Sequence, residues 1–275
     1  MRTPRITVLG LTLAGVLLAS TTAAAAHSTR TTQETAAAAV GPVPTGSAAL
    51  KRNPLYRSGE MTLACGRQPQ DSGSSAAVKA HLSAMLGCLN TSWAAQLKKA
   101  GLPFAKPKVR FITKPTRVCG SKWGEHTAGV YCIRQRQMTI LIDEEIAEDP
   151  ANPVLLEILA HEYAHHVQTL SGIMGTYARL PVRSKAHALI YSRRLELQAE
   201  CLAGVFLSSV WDSQEYTAED WQLVVDSIQG SGDDGLDLER GHGKGDTRAA
   251  WLQRGFDRVS PAACNTWSAP PARVA

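Results

Sequence analysis

His161-Glu162-Tyr163-Ala164-His165 lies in the middle of a stretch, residues 153–170, that reads as one helix. Asn152 followed by Pro153 gives a cap and a first-turn residue of fixed φ, and apolar residues recur as far as Leu170. Residues four apart on a helix share a face, so the imidazoles of His161 and His165 can reach one metal ion. Glu162 flanks that face, within hydrogen-bonding distance of a metal-bound water. The chemistry this spacing serves is zinc-assisted hydrolysis. With 8 His in 275 residues, the HExxH pattern arises by chance in about one such chain in a hundred.

A catalytic zinc takes three protein ligands and keeps one position for water. A third His six residues beyond His165 is absent, because residue 168 is Gln and residue 171 is Ser. The alternative is a carboxylate from a following helix, and Glu196-Leu197-Gln198-Ala199-Glu200 carries two glutamates one turn apart. Ala199, Ala203 and Gly204 beside them, with Ala160 and Ala164 on the first helix, allow two backbones to approach closely. From spacing alone either glutamate can be the ligand. His166 is about 100° round the helix from His165 and reads as a packing residue. Asp143, at a strand end, reads as a solvated turn, and Cys201 as half of a disulfide.

Working outward, a helix is expected from about Ser75 to Lys99, with Leu82, Met85, Leu86, Leu89 and Trp93 at helical spacing. Val109 to Ile112 and Gln137 to Ile142 read as strands, the second rich in β-branched and apolar residues. Its free edge could pair an extended substrate. Ser184 can cap a helix to about Ser209, Thr217-Ala218-Glu219-Asp220 opens another, and Asp246 or Thr247 opens the last, to about Gly255. The expected fold class is α+β, helix-rich, with a small sheet.

Residues 1–26 read as a secretory signal: Arg2 and Arg5, an apolar run from Ile6 to Ala19, then small residues ending Ala24-Ala25-Ala26. Residues 27–52 are mostly Ala, Thr, Ser, Gly and Pro and read as a disordered linker, leaving 53–275 as one domain. The six cysteines all follow the leader, an even number that favours three disulfides in an oxidising, extracellular compartment. Local pairing closes the shortest loops, giving Cys65 with Cys88, Cys119 with Cys132, and hence Cys201 with Cys264. The net charge of +5 falls to about +3 without Arg2 and Arg5, and no basic run accompanies it. Nucleic acid and an anionic membrane are therefore set aside as main partners, and a monomer is expected.

Four blocks carry a resemblance to a family. They are Ala128-Gly129-Val130-Tyr131-Cys132 with the strand ending at Asp143, His161 to Gln168, Arg194 to Val205, and Gly241-His242-Gly243 leading to Arg248. In this order they resemble the bacterial neutral zinc metallopeptidases. The resemblance implies a zincin-like fold with HExxH on the active-site helix, zinc held by His161, His165 and Glu196, and Glu162 as the base. This chain has Ala164 where the family usually has Gly, and Glu200 where it has Asp. That Asp is expected to hold a ligand imidazole, so Glu200 would do so with one more methylene.

The function expected is that of a secreted zinc endopeptidase acting on peptide or protein, in which His242, on its glycine-rich loop, donates to the developing oxyanion. Two other classes fit parts of the pattern. One is a secreted, zinc-stabilised binding protein without turnover, against which the intact Glu162 argues, since a structural site has no use for a base. The other is a zinc amidase acting on cell-wall polymer.

Overall fold

The structure, a computed structural model, describes residues 40–62, 65–67, 74–142, 152–234 and 241–275. The expected leader, residues 27–39 of the expected linker and Asp143 lie outside the described residues.

Seven helices and three strands are placed among the described residues, in the order α1 (Gly46–Lys51), α2 (Ser75–Lys99), β1 (Lys108–Ile112), β2 (Gly129–Cys132), β3 (Gln137–Leu141), α3 (Pro153–Leu170), α4 (Ile173–Tyr177), α5 (Lys185–Val210), α6 (Ala218–Gly230) and α7 (Gly245–Arg258). The fold is helix-rich α+β. None of these helices is long and apolar enough to cross a membrane.

The helix starts follow from their side chains. Ser74 and Ser184 accept from the N–H groups of Ala77 and His187, and Asn152 accepts from Val154 with Pro153 in the first turn. Thr217 and Asp220 close a reciprocal capping box on α6. On α2 the residues at helical spacing, Val78, Leu82, Met85, Leu89, Trp93 and Leu97, are all buried in the main core.

The sheet runs in the order β1-β3-β2, with β1 parallel and β2 antiparallel to β3. The expectation that Gln137 to Ile142 has a free edge is therefore corrected: β3 is the central strand. Its Met138, Thr139 and Ile140 are fully buried, and a near-continuous apolar run is the signature of a strand covered on both faces. The edge strand beside α3 is β2, whose four residues are too few to show alternation.

The expected linker is also corrected at its end. Residues 46–51 form α1, because Leu50 joins Ile173, Met174, Leu195 and Trp267 in a small cluster of its own. A segment poor in apolar residues can order by docking one leucine on a cluster that others build. Asn53 fixes it further, donating through Nδ2 to the carbonyls of Ala49 and Ser171.

Helices α5 and α7 cross backbone to backbone. A Cβ on Gly204 would stand 2.1 Å from the Leu252 carbonyl oxygen, and one on Gly255 only 1.9 Å from that of Cys201. Only glycine permits this approach. The cysteines lie in the pairs Cys65–Cys88, Cys119–Cys132 and Cys201–Cys264, the last tying α5 to the segment after α7.

Candidate metal centre

The middle of α3 brings His161 and His165 to one side, and α5 sets Glu196 against both. Glu196 Oε2 stands 3.4 Å from Nε2 of His161 and 3.2 Å from Nε2 of His165. Three ligands on a tetrahedral zinc with spokes of 2.0–2.1 Å are separated by about 3.3–3.4 Å. Glu196 thus already stands from each imidazole at the spacing that a single zinc requires, the three donors lie within 4.8 Å of one another, and the donor set, two imidazoles and a carboxylate, suits that metal.

Each imidazole is turned by its other nitrogen. Nδ1 of His165 is 2.9 Å from Oε1 of Gln168, whose Nε2 donates to the Leu195 carbonyl and to Oε1 of Gln198. Since the Gln168 amide nitrogen serves two acceptors, its oxygen faces the ring, so Nδ1 carries the hydrogen and Nε2 keeps its lone pair for a metal. Gln198 is held in turn, donating to Tyr56 Oη and to the Cys264 carbonyl.

On His161 the partner of Nδ1 is Glu200, whose Oε2 is 3.4 Å away. The two glutamates therefore lie at opposite nitrogens of one ring: Glu196 with the converging donors, Glu200 behind. The other oxygen of Glu200 accepts from Nε and Nη2 of Arg248, which also donates to the carbonyl and hydroxyl of Ser231. Burial alone would push the Glu200 carboxyl up, but Arg248 and His161 hold it well below the usual carboxylate range. Glu157, fully buried beside it, is pushed up to about 8 by its burial and by the charge of Glu200. Of the two carboxyls, Glu157 is the one favoured to keep its proton and Glu200 the one held charged. Glu157, His161 and Glu200 form a second set of close donors, but Glu200 is committed to Arg248, so the first set is the better metal site.

A cavity of about 280 Å³ opens over His161 and Glu162, walled by Gly129 of the edge strand, Ile158, Ile228 and His242. Glu162 is buried, its Oε2 without a partner among the described residues. Its burial raises the carboxyl pKa, and the neighbouring imidazoles of His165 and His161 pull it back. For Glu196 the balance falls the other way: burial raises it, yet His165 and His161 take it well below its ordinary value.

His242 stands at the rim of this cavity, about half exposed, with Nδ1 3.3 Å from Oδ1 of Asp233. The other oxygen of Asp233 accepts the backbone N–H groups of His242 and Gly243, each at 2.8 Å. His166 does not join the donors. Buried off their face, it places Nδ1 3.0 Å from Tyr131 Oη and Nε2 2.7 Å from the Ala105 carbonyl, so it ties α3 to β2 and to the segment before β1.

Sequence reasoning missed three of these residues. Gln168 could have been found, since a residue three beyond His165 faces it across one helical turn. Asp233 was hidden in the glycine-rich loop of His242, where no spacing marks it, and Glu157 in an apolar stretch where nothing marks its partner.

The family model described as "Putative neutral zinc metallopeptidase" matches residues 55–267. The chain is similar to the uncharacterized protein YpfJ of Escherichia coli (strain K12), 30% identical over 204 residues that make up 67% of this chain and 70% of that protein. It is also similar to the uncharacterized protein Mb2605 of Mycobacterium bovis, 32% identical over 133 residues, 41% of this chain and 43% of that one. No solved structure matches the chain. The family match runs through the donors on α3 and α5 and on through the loop that carries His242, and on that ground the chain belongs to the family so described.

Proposed function

We propose that the protein is a secreted zinc endopeptidase. The observation that carries the reading is the convergence of His161, His165 and Glu196, with Glu196 Oε2 at tetrahedral spacing from Nε2 of each ring, beside a buried Glu162 and under an open cavity. A structural site would close the fourth position and would not keep a carboxylate there.

His161, His165 and Glu196 hold the zinc in this reading. When bound, zinc supplies a Lewis acid for the scissile carbonyl and lowers the pKa of a water. Glu162 takes the water's proton on its carboxylate and passes it to the leaving amine nitrogen, for which its raised pKa suits it. Glu200 and Gln168 keep the two imidazoles turned. His242, steadied by Asp233, donates to the oxygen that gains charge. An extended peptide lies along the free edge of β2, whose Gly129 wall brings the backbone close to Glu162. The three disulfides support an oxidising compartment.

The test is Glu162→Gln in the purified protein, with bound metal measured beside digestion of a protein substrate. Zinc content stays and the rate falls about 100- to 10,000-fold. Equal digestion by the variant refutes the mechanism. Zinc bound with no digestion by the wild type, but with hydrolysis of cell-wall polymer, moves the reading to an amidase.

A further inference from the structure

A second cavity, of about 630 Å³, shares no lining residue with the one over His161. It lies where α1, α4 and α5 meet the C-terminal segment, and Lys51, Arg179 and Arg194 line it with no Asp or Glu among its walls. That bias belongs to the surrounding chain too. Residues 40–59, 163–195 and 259–275 together hold nine Lys and Arg and no Asp or Glu, in a protein whose totals are 29 to 24.

These three segments pack as one region. Leu50, Met174, Leu195 and Trp267 share a cluster, Asn265 donates to the Lys51 carbonyl, and Arg194 donates through its Nη atoms to the carbonyls of Thr266 and Ala269. Arg194 is thereby fixed as a wall. Burial and the neighbouring Arg193 push its guanidinium pKa down, the response of a cation with no anion facing it. Arg179 and Lys51, both exposed, make no ion pair among the described residues.

We propose that this cavity binds an oxyanion, a phosphate or carboxylate group carried on a small organic body. Arg179 offers a planar fork for two oxygens and Lys51 a point charge, while the single-sign surroundings draw an anion in. Leu50, Leu180 and Tyr191 in the same wall cover the body that carries it. This site stands independently of the peptidase reading, since it shares none of that chemistry.

Calorimetric titration of the full chain at low ionic strength tests it with two probes. One is inorganic phosphate; the other is a tripeptide with a free C-terminal carboxylate, compared with its amide. One probe binds saturably, and Arg179→Glu weakens that binding about tenfold or more. Arg110→Glu, an equal charge reversal on the exposed face of β1, leaves it unchanged. Lys51→Met, which removes the point charge from the cavity wall, also weakens binding while the melting temperature stays near that of the wild type. Phosphate binding alone assigns a phosphate ligand, and preference for the free acid over the amide assigns a carboxylate. Failure of both probes to saturate overturns the proposal, as does equal weakening by Arg179→Glu and Arg110→Glu, which would mean general attraction to net charge.

Discussion

A Cβ on Gly129 would stand 2.7 Å from Cγ of Glu162 and 2.9 Å from its Oε1. The edge strand therefore presses its bare backbone against the side chain that the proposed chemistry uses. Gly129→Ala leaves the fold intact, because only a side chain need give way, but it displaces the carboxylate. The expected result is a loss of activity on the order of 100-fold with zinc content unchanged. A variant as active as the wild type would show that Glu162 need not stand where Gly129 holds it.

The two glutamates of α5 separate by what each variant loses. Glu196→Ala removes a converging donor and is expected to abolish zinc binding at micromolar metal. Glu200→Gln keeps the shape behind His161 but weakens its hold on Nδ1, and costs about 10- to 100-fold in metal affinity. Metal titration against a competing chelator checks both. The reverse ranking would exchange the roles of Glu196 and Glu200. Arg248→Met, which leaves the Glu157–Glu200 pair without its cation, is expected to cost about 3–5 kcal/mol in denaturant unfolding.

Asp233→Asn probes the rim. An asparagine oxygen can still accept the N–H groups of His242 and Gly243, so the loop keeps its path, while its amide nitrogen now faces Nδ1 of His242. Facing that N–H, Nδ1 becomes the acceptor and Nε2 carries the ring hydrogen, so His242 can still donate, but without a carboxylate charge behind the ring to strengthen that hydrogen bond. Turnover is expected to fall about 10- to 100-fold with KM and zinc content near those of the wild type. A change in KM alone would instead place His242 in substrate binding.

The metal-free protein should carry a pH signature from Glu157. Its carboxyl is raised in the fold from 4.5 to about 8, so the native state holds a proton that the unfolded chain releases. Stability from this group is therefore complete below about 4.5 and is lost as pH rises toward 8. Glu157→Gln, which keeps a donor for Glu200, should flatten that decline in chelator-treated protein. Denaturant midpoints that fall equally in wild type and variant between these pH values would remove Glu157 as the cause.

What could be read beforehand was what depends on neighbours in sequence. The helices from Ser75, Pro153 and Lys185 were marked by caps and spacing, and α3 declared its chemistry through two histidines four apart. The order of the strands was not legible. Nothing local to Gln137–Leu141 says that both its edges are taken, and β2 is too short to announce itself. Helix α1 was missed for the same reason, since its order comes from Ile173 and Trp267, far along the chain. The site divided likewise. Spacing proposed Glu196 and Glu200 together, but only the fold shows which of them stands with both Nε2 atoms.

The tether of His165 ends at Gln198, and Gln198 draws on Tyr56 and on Cys264, from opposite ends of the folded unit. Helices α3 and α5 can form early from local contacts, yet the ring of His165 gains its fixed direction only when both of those distant partners have arrived. A chain still leaving the ribosome thus carries both histidines and Glu196 without the frame that aims them. Timing follows from topology here: in the proposed reading, the zinc ligands are aimed only after Cys264 has been made and has come together with Tyr56 and α5.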